Sequence, residues 1–232
     1  MWRYRNRGLF MKTVLVVAPH ADDETLGCGG TILKLIEQGY QVHWLLVTGM
    51  TEETGYSVTQ IESRRDEILK VSKQYGFSAT HELNLPPARL ETLAKAEVIG
   101  PICNVISDIK PEIVFSVYRN DAHSDHEIVF DAVMSATKSF RYPFVKKVMV
   151  YETMSETDFG MKPEDGGFRP NVFIDIEPYL AKKLDILEIF ESEVGDFPFP
   201  RSRKALQSLA YVRGAQCNAK AAEAFMLIKE IL

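Results

Sequence analysis

The sequence predicts an α/β fold in a single domain, with one mostly parallel sheet and helices on both of its faces. Strand-like and helix-like segments alternate along most of the chain, which is typical of parallel sheets joined by crossover helices. The first strand, Val14 to Val17, is apolar at every position, as in strands buried on both faces. The 232 residues are 46% hydrophobic and contain no Pro/Gly/Ser-rich linker, so one substantial core is expected.

Local patterns predict the later elements in order. Residues 25–39 form a helix because Ile32, Leu33 and Ile36 recur at helical spacing before Gly39 stops it. Further strands are predicted at residues 41–48, 80–85, 112–118, 145–151 and 171–176, and further helices at 59–75, 90–109, 127–138, 178–194 and 203–232. Glycine or proline follows the ends of the helices at 59–75 and 90–109, as is typical of helix termini.

Composition favours a protein that acts on small molecules. The net charge of -5 argues against nucleic acid or an anionic membrane surface as the main partner. No apolar run approaches the roughly 18 to 20 residues of a membrane span. The three cysteines are widely spaced and form no C-x-x-C pair, which indicates a reducing compartment and therefore a cytoplasmic protein. A homo-oligomer is compatible with the sequence.

The chain is predicted to begin with a short extension. Residues 1–11 carry three arginines and lead into the first strand without the apolar segment and small-residue cleavage site of a signal peptide. We expect residues 1–11 to be peripheral, and residues 12–232 to form the domain.

The first chemistry-bearing cluster follows the first strand. His20 and Asp23, three positions apart, offer the nitrogen and oxygen ligands that zinc accepts, and Asp22 between them is left to act on a bound water. The alternative interpretation is a strand end with solvated acids and a helix N-cap, since acidic residues favour the positive end of a helix dipole.

A second cluster, His123, Asp125 and His126, follows the strand at 112–118. Three of the five histidines thus fall at two strand ends, whereas His43 and His81 lie inside predicted strands and are interpreted as packed or solvent-facing. In parallel α/β sheets the ligand site lies at the carboxyl ends of the strands. Two histidines and one carboxylate, with an open position for water, are a known arrangement for catalytic zinc.

These two runs, Pro19-His20-Ala21-Asp22-Asp23-Glu24 and His123-Ser124-Asp125-His126, resemble the PIG-L/LmbE family of zinc-dependent de-N-acetylases. The similarity extends through Arg64-x-x-Glu67 to Arg213-Gly214 and to residues 222–225 near the end of the chain. The resemblance implies a Rossmann-like fold and an enzyme that removes the N-acetyl group of an amino sugar, or of its conjugate, by a metal-activated water.

The resemblance also implies roles for individual residues. It implies the metal ligands His20, Asp23 and His126, the general base Asp22, the oxyanion stabiliser His123 oriented by Asp125, and the sugar-binding Arg64. Zinc is the expected cofactor, and iron(II) suits the same ligands. Ala21 and Ser124 stand where the family motifs usually have proline, and the segment 86–89 lacks the acid with which many members hold the sugar.

The predicted mechanism has a physical basis of its own. Zinc lowers the pKa of bound water toward about 7, and a nearby carboxylate takes the proton as the water attacks the amide carbon. The tetrahedral oxyanion then needs a positive partner, which protonated His123 can supply together with the metal. The adjacent carboxylate of Asp125 is expected to raise the pKa of His123.

The residue pattern also suggests two alternative functions. One is a different zinc amidohydrolase acting on a small N-acyl substrate, which the residue pattern also allows. The other is a nucleotide-binding module, because Gly27, Gly29 and Gly30 follow the first strand. Their spacing is not G-x-G-x-x-G, and the preceding acids would lie against a pyrophosphate.

Overall fold

One seven-stranded sheet organises the protein in this computed structural model, which describes residues 12–160, 164 and 166–232. The strands are β1 (Thr13–Ala18), β2 (Gln41–Thr48), β3 (Ala79–Leu85), β4 (Ile113–Val117), β5 (Lys147–Tyr151), β6 (Val172–Asp175) and β7 (Ala222–Glu230). Their order is β3-β2-β1-β4-β5-β7-β6, and the first five are mutually parallel. Strand β7 runs antiparallel to both of its neighbours. The predicted α/β fold with a mostly parallel sheet is confirmed.

Helices cover both faces of this sheet. They are α1 (Asp23–Glu37), α2 (Val58–Tyr75), α3 (Lys95–Ile109), α4 (Ser124–Ala136), α5 (Leu180–Leu187) and α6 (Arg203–Cys217). Alternate residues of β1 join different cores: Val14 and Val16 pack with α1, α2 and α5, whereas Leu15 and Val17 pack with α3 and α4. All four residues have no exposed surface, as the continuous apolar run predicts for a strand buried on both faces.

Helix boundaries agree with the predictions where a local signal exists. Ser57 caps the start of α2 by accepting a hydrogen bond from the N–H of Gln60, and Gly76 ends α2 in the left-handed conformation at φ 83°. Helix α3 begins later than predicted, because residues 90–92 form a separate 3-10 turn. Helix α4 begins earlier, at Ser124, so the second His-Asp cluster itself forms the first turn of a helix.

The prediction of one helix over residues 203–232 is wrong. Helix α6 ends at Cys217, the cap residue Asn218 adopts a left-handed conformation at φ 59°, and β7 follows. Strand β7 places Phe225 beside Tyr151 of β5 and Val172 of β6, so its backbone hydrogen bonds join two strands that would otherwise lie apart. The short apolar run within β7 is compatible with either a helix or a strand. Its pairing with β5 and β6 decides for the strand. The helix predicted at 178–194 is likewise shorter, because only residues 180–187 form α5.

A buried ion pair anchors β7 to α1. Helix α1 is kinked at Cys28, whose φ of -140° is not helical, and the N–H groups of Gly30 and Thr31 donate instead to the carboxylate of Glu223, at 2.8 and 2.7 Å. The Nζ of Lys183 donates to the same carboxylate at 2.6 Å and to the Leu26 carbonyl at 3.0 Å. Lys183 and Glu223 therefore neutralise each other's charge. They also form hydrogen bonds with backbone groups of α1 around the kink.

Replacing Lys183 with methionine should lower the free energy of unfolding by about 3–5 kcal/mol, because it leaves the Glu223 carboxylate buried without its cation. Lys220→Met is the matched control, since Lys220 pairs with Glu177 at the surface, where solvent screens the ion pair and leaves it little effect on stability. Urea denaturation of both variants measures the difference. Equal losses would show that the buried pair contributes no more than the surface pair.

Two further sequence predictions concern membranes and the amino terminus. Among the residues that the structure describes, no helix combines the length and the apolar character needed to cross a bilayer. The predicted peripheral extension, residues 1–11, lies outside the described residues. The boundary between this extension and the domain stays a prediction.

Candidate active site

The two His-Asp clusters meet because β1 and β4 are neighbours in the sheet. Strand β1 pairs with β2 on one side and with β4 on the other, so the chain connections leave the carboxyl ends of β1 and β4 in opposite directions. Ligand crevices of open α/β sheets form at such a switch point. A cavity of about 680 Å³ opens there, and its lining includes His20, Asp22, Asp23 and His123.

His20, Asp23 and His126 bring one ligand atom each to within 4.8 Å of one another, which is a spacing that could hold a metal ion. The Oδ2 of Asp23 lies 3.3 Å from the Nδ1 of His20 and 3.4 Å from the Nε2 of His126. The Nε2 of His126 is fully buried, and it has no hydrogen-bond partner among the described residues. A buried nitrogen left open beside a carboxylate fits a metal ligand.

Charge interactions shift the pKa values of all three groups. Burial opposes ionisation of Asp23, but His126 and His20 outweigh it and hold the pKa of Asp23 well below its ordinary value. Burial also disfavours the charged histidines, yet hydrogen bonds to Asp125 and Asp23 raise the pKa of His20 to about 9. Asp23 and Asp121 likewise raise the pKa of His126 to about 10. The carboxylates of the cluster thus favour a positive charge between them, whether on the histidine rings or on a bound cation.

A second group, His20, His123 and Asp125, also has metal-compatible spacing. The carboxylate of Asp125 is engaged, because its Oδ2 accepts the N–H of Ala88 at 2.7 Å and its Oδ1 accepts the N–H of Leu90 at 3.3 Å. The same Oδ2 lies 2.9 Å from the Nε2 of His20. If this Nε2 carries the proton, the Nδ1 of His20 is left as a lone pair on the side of Asp23. Asp125 is therefore better placed to orient the proposed metal ligand His20 than to bind a metal itself.

Asp121 supports His126 in the same way, and sequence reasoning assigned it no role. Its Oδ2 lies 2.7 Å from the Nδ1 of His126, and its Oδ1 accepts the hydroxyl of Thr157 at 2.6 Å. A carboxylate on one ring nitrogen fixes the tautomer, so that the other nitrogen is free for a metal. The only available signal was an acid at a strand end, two residues before His123.

Asp121→Asn should weaken metal binding by about 10- to 100-fold, the range typical of carboxylates that support metal-binding histidines. Asp131→Asn is the control, since Asp131 lies on α4 but its carboxylate pairs with Arg119 at the surface. Competition with a chromophoric chelator measures both affinities. Unchanged affinity in Asp121→Asn would exclude this supporting role.

Asp22 occupies a strained turn. Its φ of 144° lies in the left-handed region, and such conformations are concentrated at functional sites. It stands at the N-cap position of α1, yet its side chain makes no capping hydrogen bond, which contradicts the alternative interpretation of this acid as a helix cap. Burial, followed by the charges of Asp23 and Glu193, raises the pKa of Asp22 well above its ordinary value. Its Oδ2 is buried without a hydrogen-bond partner among the described residues.

Glu24 fixes the backbone of this turn and was not predicted as a site residue. Its Oε2 accepts the N–H of Asp22 at 3.2 Å, and its Oε1 accepts the hydroxyl of Thr25 at 2.5 Å. Tyr75 in turn donates to Thr25 at 3.0 Å. Burial raises the pKa of Glu24 to about 8. These contacts place Glu24 behind the turn, whereas Asp22 and Asp23 line the cavity.

His123 lies at the cavity wall, but its surroundings differ from the prediction. Its Nδ1 accepts the backbone N–H of Asp125 at 3.1 Å, so the neutral ring carries its proton on Nε2. The carboxylate of Asp125 is 3.9 Å from this Nδ1 and closer to His20, which it orients more directly. The expected rise in the pKa of His123 is wrong, because burial and then the charge of His20 lower it. A neutral Nε2–H can still donate to an oxyanion.

Arg64 also lines the cavity, but its guanidinium contacts protein groups. Its Nη1 donates to the carbonyl of Ala21 at 2.9 Å, and its Nη2 donates to Ser192 at 3.0 Å and to the carboxylate of Glu193. Its Nε lies 3.2 Å from Glu67. These contacts tie α2 to the turn that carries Asp22, so the structure favours a supporting role for Arg64 over contact with sugar hydroxyls.

The glycines that suggested nucleotide binding serve helix packing. A Cβ atom at Gly27 would lie 2.1 Å from the Tyr151 ring, and one at Gly30 would lie 2.7 Å from Ile176. The N–H of Gly30 donates to Glu223, so a carboxylate already occupies the place that a phosphate would need. These glycines let α1 approach the sheet closely. The geometry disfavours the nucleotide-binding alternative.

His43 and His81 lie outside the cavity and contact each other. The Nδ1 of His43 is 3.1 Å from the Nε2 of His81, and their rings stack with centroids 5.4 Å apart. Burial lowers the pKa of both. The interpretation of these histidines as packed side chains agrees with this arrangement.

The protein thus belongs to the class of α/β proteins that carry a candidate metal centre at the carboxyl ends of their parallel strands. The family model for PIG-L, described as GlcNAc-PI de-N-acetylase, matches residues 15–137. The chain belongs to this family of deacetylases, as its two motifs indicate. The matched range contains both clusters.

Individual relatives agree with this membership. The chain is 27% identical to a diacetylchitobiose deacetylase of Thermococcus kodakarensis, over 95% of this chain and 85% of the relative. Its fold is similar to that of an N,N'-diacetylchitobiose deacetylase from Pyrococcus horikoshii, with a TM-score of 0.77, 21% identity and coverage of 94% and 84%. It is also similar to GalB of Pseudomonas putida, a 4-carboxy-2-hydroxymuconate hydratase, with a TM-score of 0.72, 20% identity and coverage of 96% and 98%. The fold alone therefore does not fix the reaction.

Proposed function

We propose that this protein is a metal-dependent hydrolase that removes the N-acetyl group from an N-acetylated amino sugar or its conjugate. The observation that carries the proposal is the open Nε2 of His126, which is buried beside the carboxylate of Asp23, a residue that lines the cavity. His20, Asp23 and His126 would hold the metal, and their nitrogen and oxygen donors suit zinc, with iron(II) as the alternative. When bound, such a metal acts as a Lewis acid and makes water a nucleophile near neutral pH.

The residues around this centre have separate tasks. Asp22 accepts the proton of the attacking water, because its side chain lines the cavity beside Asp23 and its Oδ2 accepts no hydrogen bond from the described residues. His123 donates its Nε2–H as a hydrogen bond to the developing oxyanion. The proton that Asp22 has taken from the water then passes to the amine as the C–N bond breaks. Asp125 and Asp121 hold His20 and His126 in the orientations that these tasks require.

The substrate class is supported by the cavity and by the relatives. A volume of about 680 Å³ falls within the range of about 300–1,000 Å³ that is typical of small-molecule sites. The named relatives from Thermococcus and Pyrococcus are diacetylchitobiose deacetylases. An N-acetylated amino sugar, free or conjugated, therefore agrees with the cavity volume and with the activity of these relatives. The cytoplasmic location and any self-association stay predictions.

The test is acetate release from a panel of N-acetylated amino sugars and their conjugates, with N-acyl amino acids included to detect another amidohydrolase. We expect acetate and free amine in equal amounts, loss of activity after chelation, and recovery with added zinc or iron(II). His126→Ala should lose metal and activity together, whereas His81→Ala, outside the cavity, should keep both. A metal-loaded protein that releases no acetate from any sugar would refute the proposed function.

A further inference from the structure

We propose that Arg201 is a positioning residue that holds the carboxylate of Asp22 toward the cavity. This inference rests on the proposed function, because it assigns Asp22 the role of general base. The Nη1 of Arg201 lies 3.6 Å from the Oδ2 of Asp22, and that oxygen has no hydrogen-bond partner among the described residues. The loop between α5 and α6 thus brings a cation to the reacting carboxylate from about 180 residues away in the chain.

Arg201 is itself held in place by its neighbours. Its Nη2 lies 3.4 Å from the Oε2 of Glu193, and the other oxygen of Glu193 accepts a hydrogen bond from Arg64. Its guanidinium lies 5.8 Å from the centre of the Phe199 ring. The next residue, Ser202, is buried and caps α6 by accepting the N–H of Ala205. Arg201 therefore approaches Asp22 from a fixed point of the backbone.

The charges around Asp22 explain why a cation is needed there. Asp23, Glu24 and Glu193 all add negative charge near its buried carboxylate, and Arg201 opposes them. Without Arg201, like-charge repulsion would favour rotation of the Asp22 side chain away from Asp23 and Glu193. Arg64 acts on the same turn through the backbone carbonyl of Ala21, so one arginine holds the main chain and the other holds the side chain.

Kinetics can separate this role from direct substrate binding. Arg201→Gln should lower kcat by about 10- to 100-fold with little change in KM, because a misplacement of about 1 Å in a reacting group can cost about that much. Metal content should stay at the wild-type level, since Arg201 contacts none of the three proposed ligands. Arg201→Lys should recover part of the rate, because lysine restores the positive charge but lacks the planar guanidinium group of arginine.

Arg203→Gln is the matched control. Arg203 lies two residues further on, pairs with Asp185 and Glu188, and does not line the cavity. Its kcat and KM should equal those of the wild type. A rise in KM alone in Arg201→Gln would make Arg201 a substrate-binding residue, and an unchanged kcat would remove it from catalysis; either result overturns the inference.

A crystal structure of Arg201→Gln provides a readout that does not depend on activity. We expect the Asp22 carboxylate to turn away from its wild-type direction while His20, Asp23 and His126 keep theirs. An unmoved Asp22 would overturn the inference even if the protein proves to be a deacetylase. If the glutamine variant does not fold, Arg201→Met, which also removes the charge, carries the same kinetic and structural tests. Absence of acetate release by the wild type would instead count against the proposed function.

Discussion

Asp22→Asn is expected to keep its metal and to lose roughly 100- to 10,000-fold in turnover, the range for removal of a general base. The buried Oδ2 of Asp22 accepts no hydrogen bond from the described residues, and the nearby guanidinium of Arg201 stays 3.6 Å away, so this oxygen can accept the proton of water. Asparagine has nearly the same shape but cannot take that proton. Bound metal and the rate of acetate release, measured on the same preparation, test this expectation.

The neighbouring Asp23→Asn is the matched comparison. Its carboxylate lies between His20 and His126, so this substitution should mainly weaken metal affinity. Excess metal ought to restore some activity to Asp23→Asn and none to Asp22→Asn. If Asp22→Asn is instead the variant that metal rescues, the roles assigned to these two acids are reversed.

His123→Ala should reduce turnover by about 100-fold or more while the metal remains bound, because His123 is expected to stabilise the developing charge without being a ligand. The Nδ1 of His123 is occupied by the N–H of Asp125, which leaves Nε2–H as the donor. Elemental analysis and steady-state kinetics provide the two readouts. His81→Ala, outside the cavity, controls for the general effect of removing an imidazole.

Loss of metal from His123→Ala would contradict this assignment. It would favour the second possible metal group, in which His123 joins His20 and Asp125. The present geometry argues against that group, since both oxygens of Asp125 accept backbone N–H groups. The single substitution thus distinguishes the two candidate centres.

Arg64 and Arg201, two of the arginines that line the cavity, show how residues of one type can differ in role. Arg64 was interpreted from sequence as a sugar-binding residue, but its hydrogen bonds go to Ala21, Ser192 and Glu193. Arg201 was not singled out at all, and it is the arginine that approaches the proposed base. A residue's type and motif indicate that it belongs to the site, whereas its role depends on which acceptors the fold places around it.

The sequence by itself determined the fold class and the residue types at the site. Continuous apolar runs, helical periodicity and glycine or proline at helix ends are local signals, so β2 was predicted at its observed bounds of Gln41–Thr48 and the end of α2 at Gly76. The histidines and acids that follow two of the predicted strands can also be read from the sequence. Because the carboxyl ends of parallel strands lie at the same edge of a sheet, these residues are expected to share one site.

Only the tertiary structure decided how these pieces meet. The pairing of β1 with β4 brings His20 next to residues more than 100 positions away, and the insertion of β7 between β5 and β6 replaced a predicted helix. The contacts of Asp121 with His126 and of Arg201 with Asp22 depend on loops whose paths no periodicity describes. The physical reason is that local propensity depends on neighbours in sequence, whereas strand order and side-chain partners depend on burial and hydrogen bonding between distant segments.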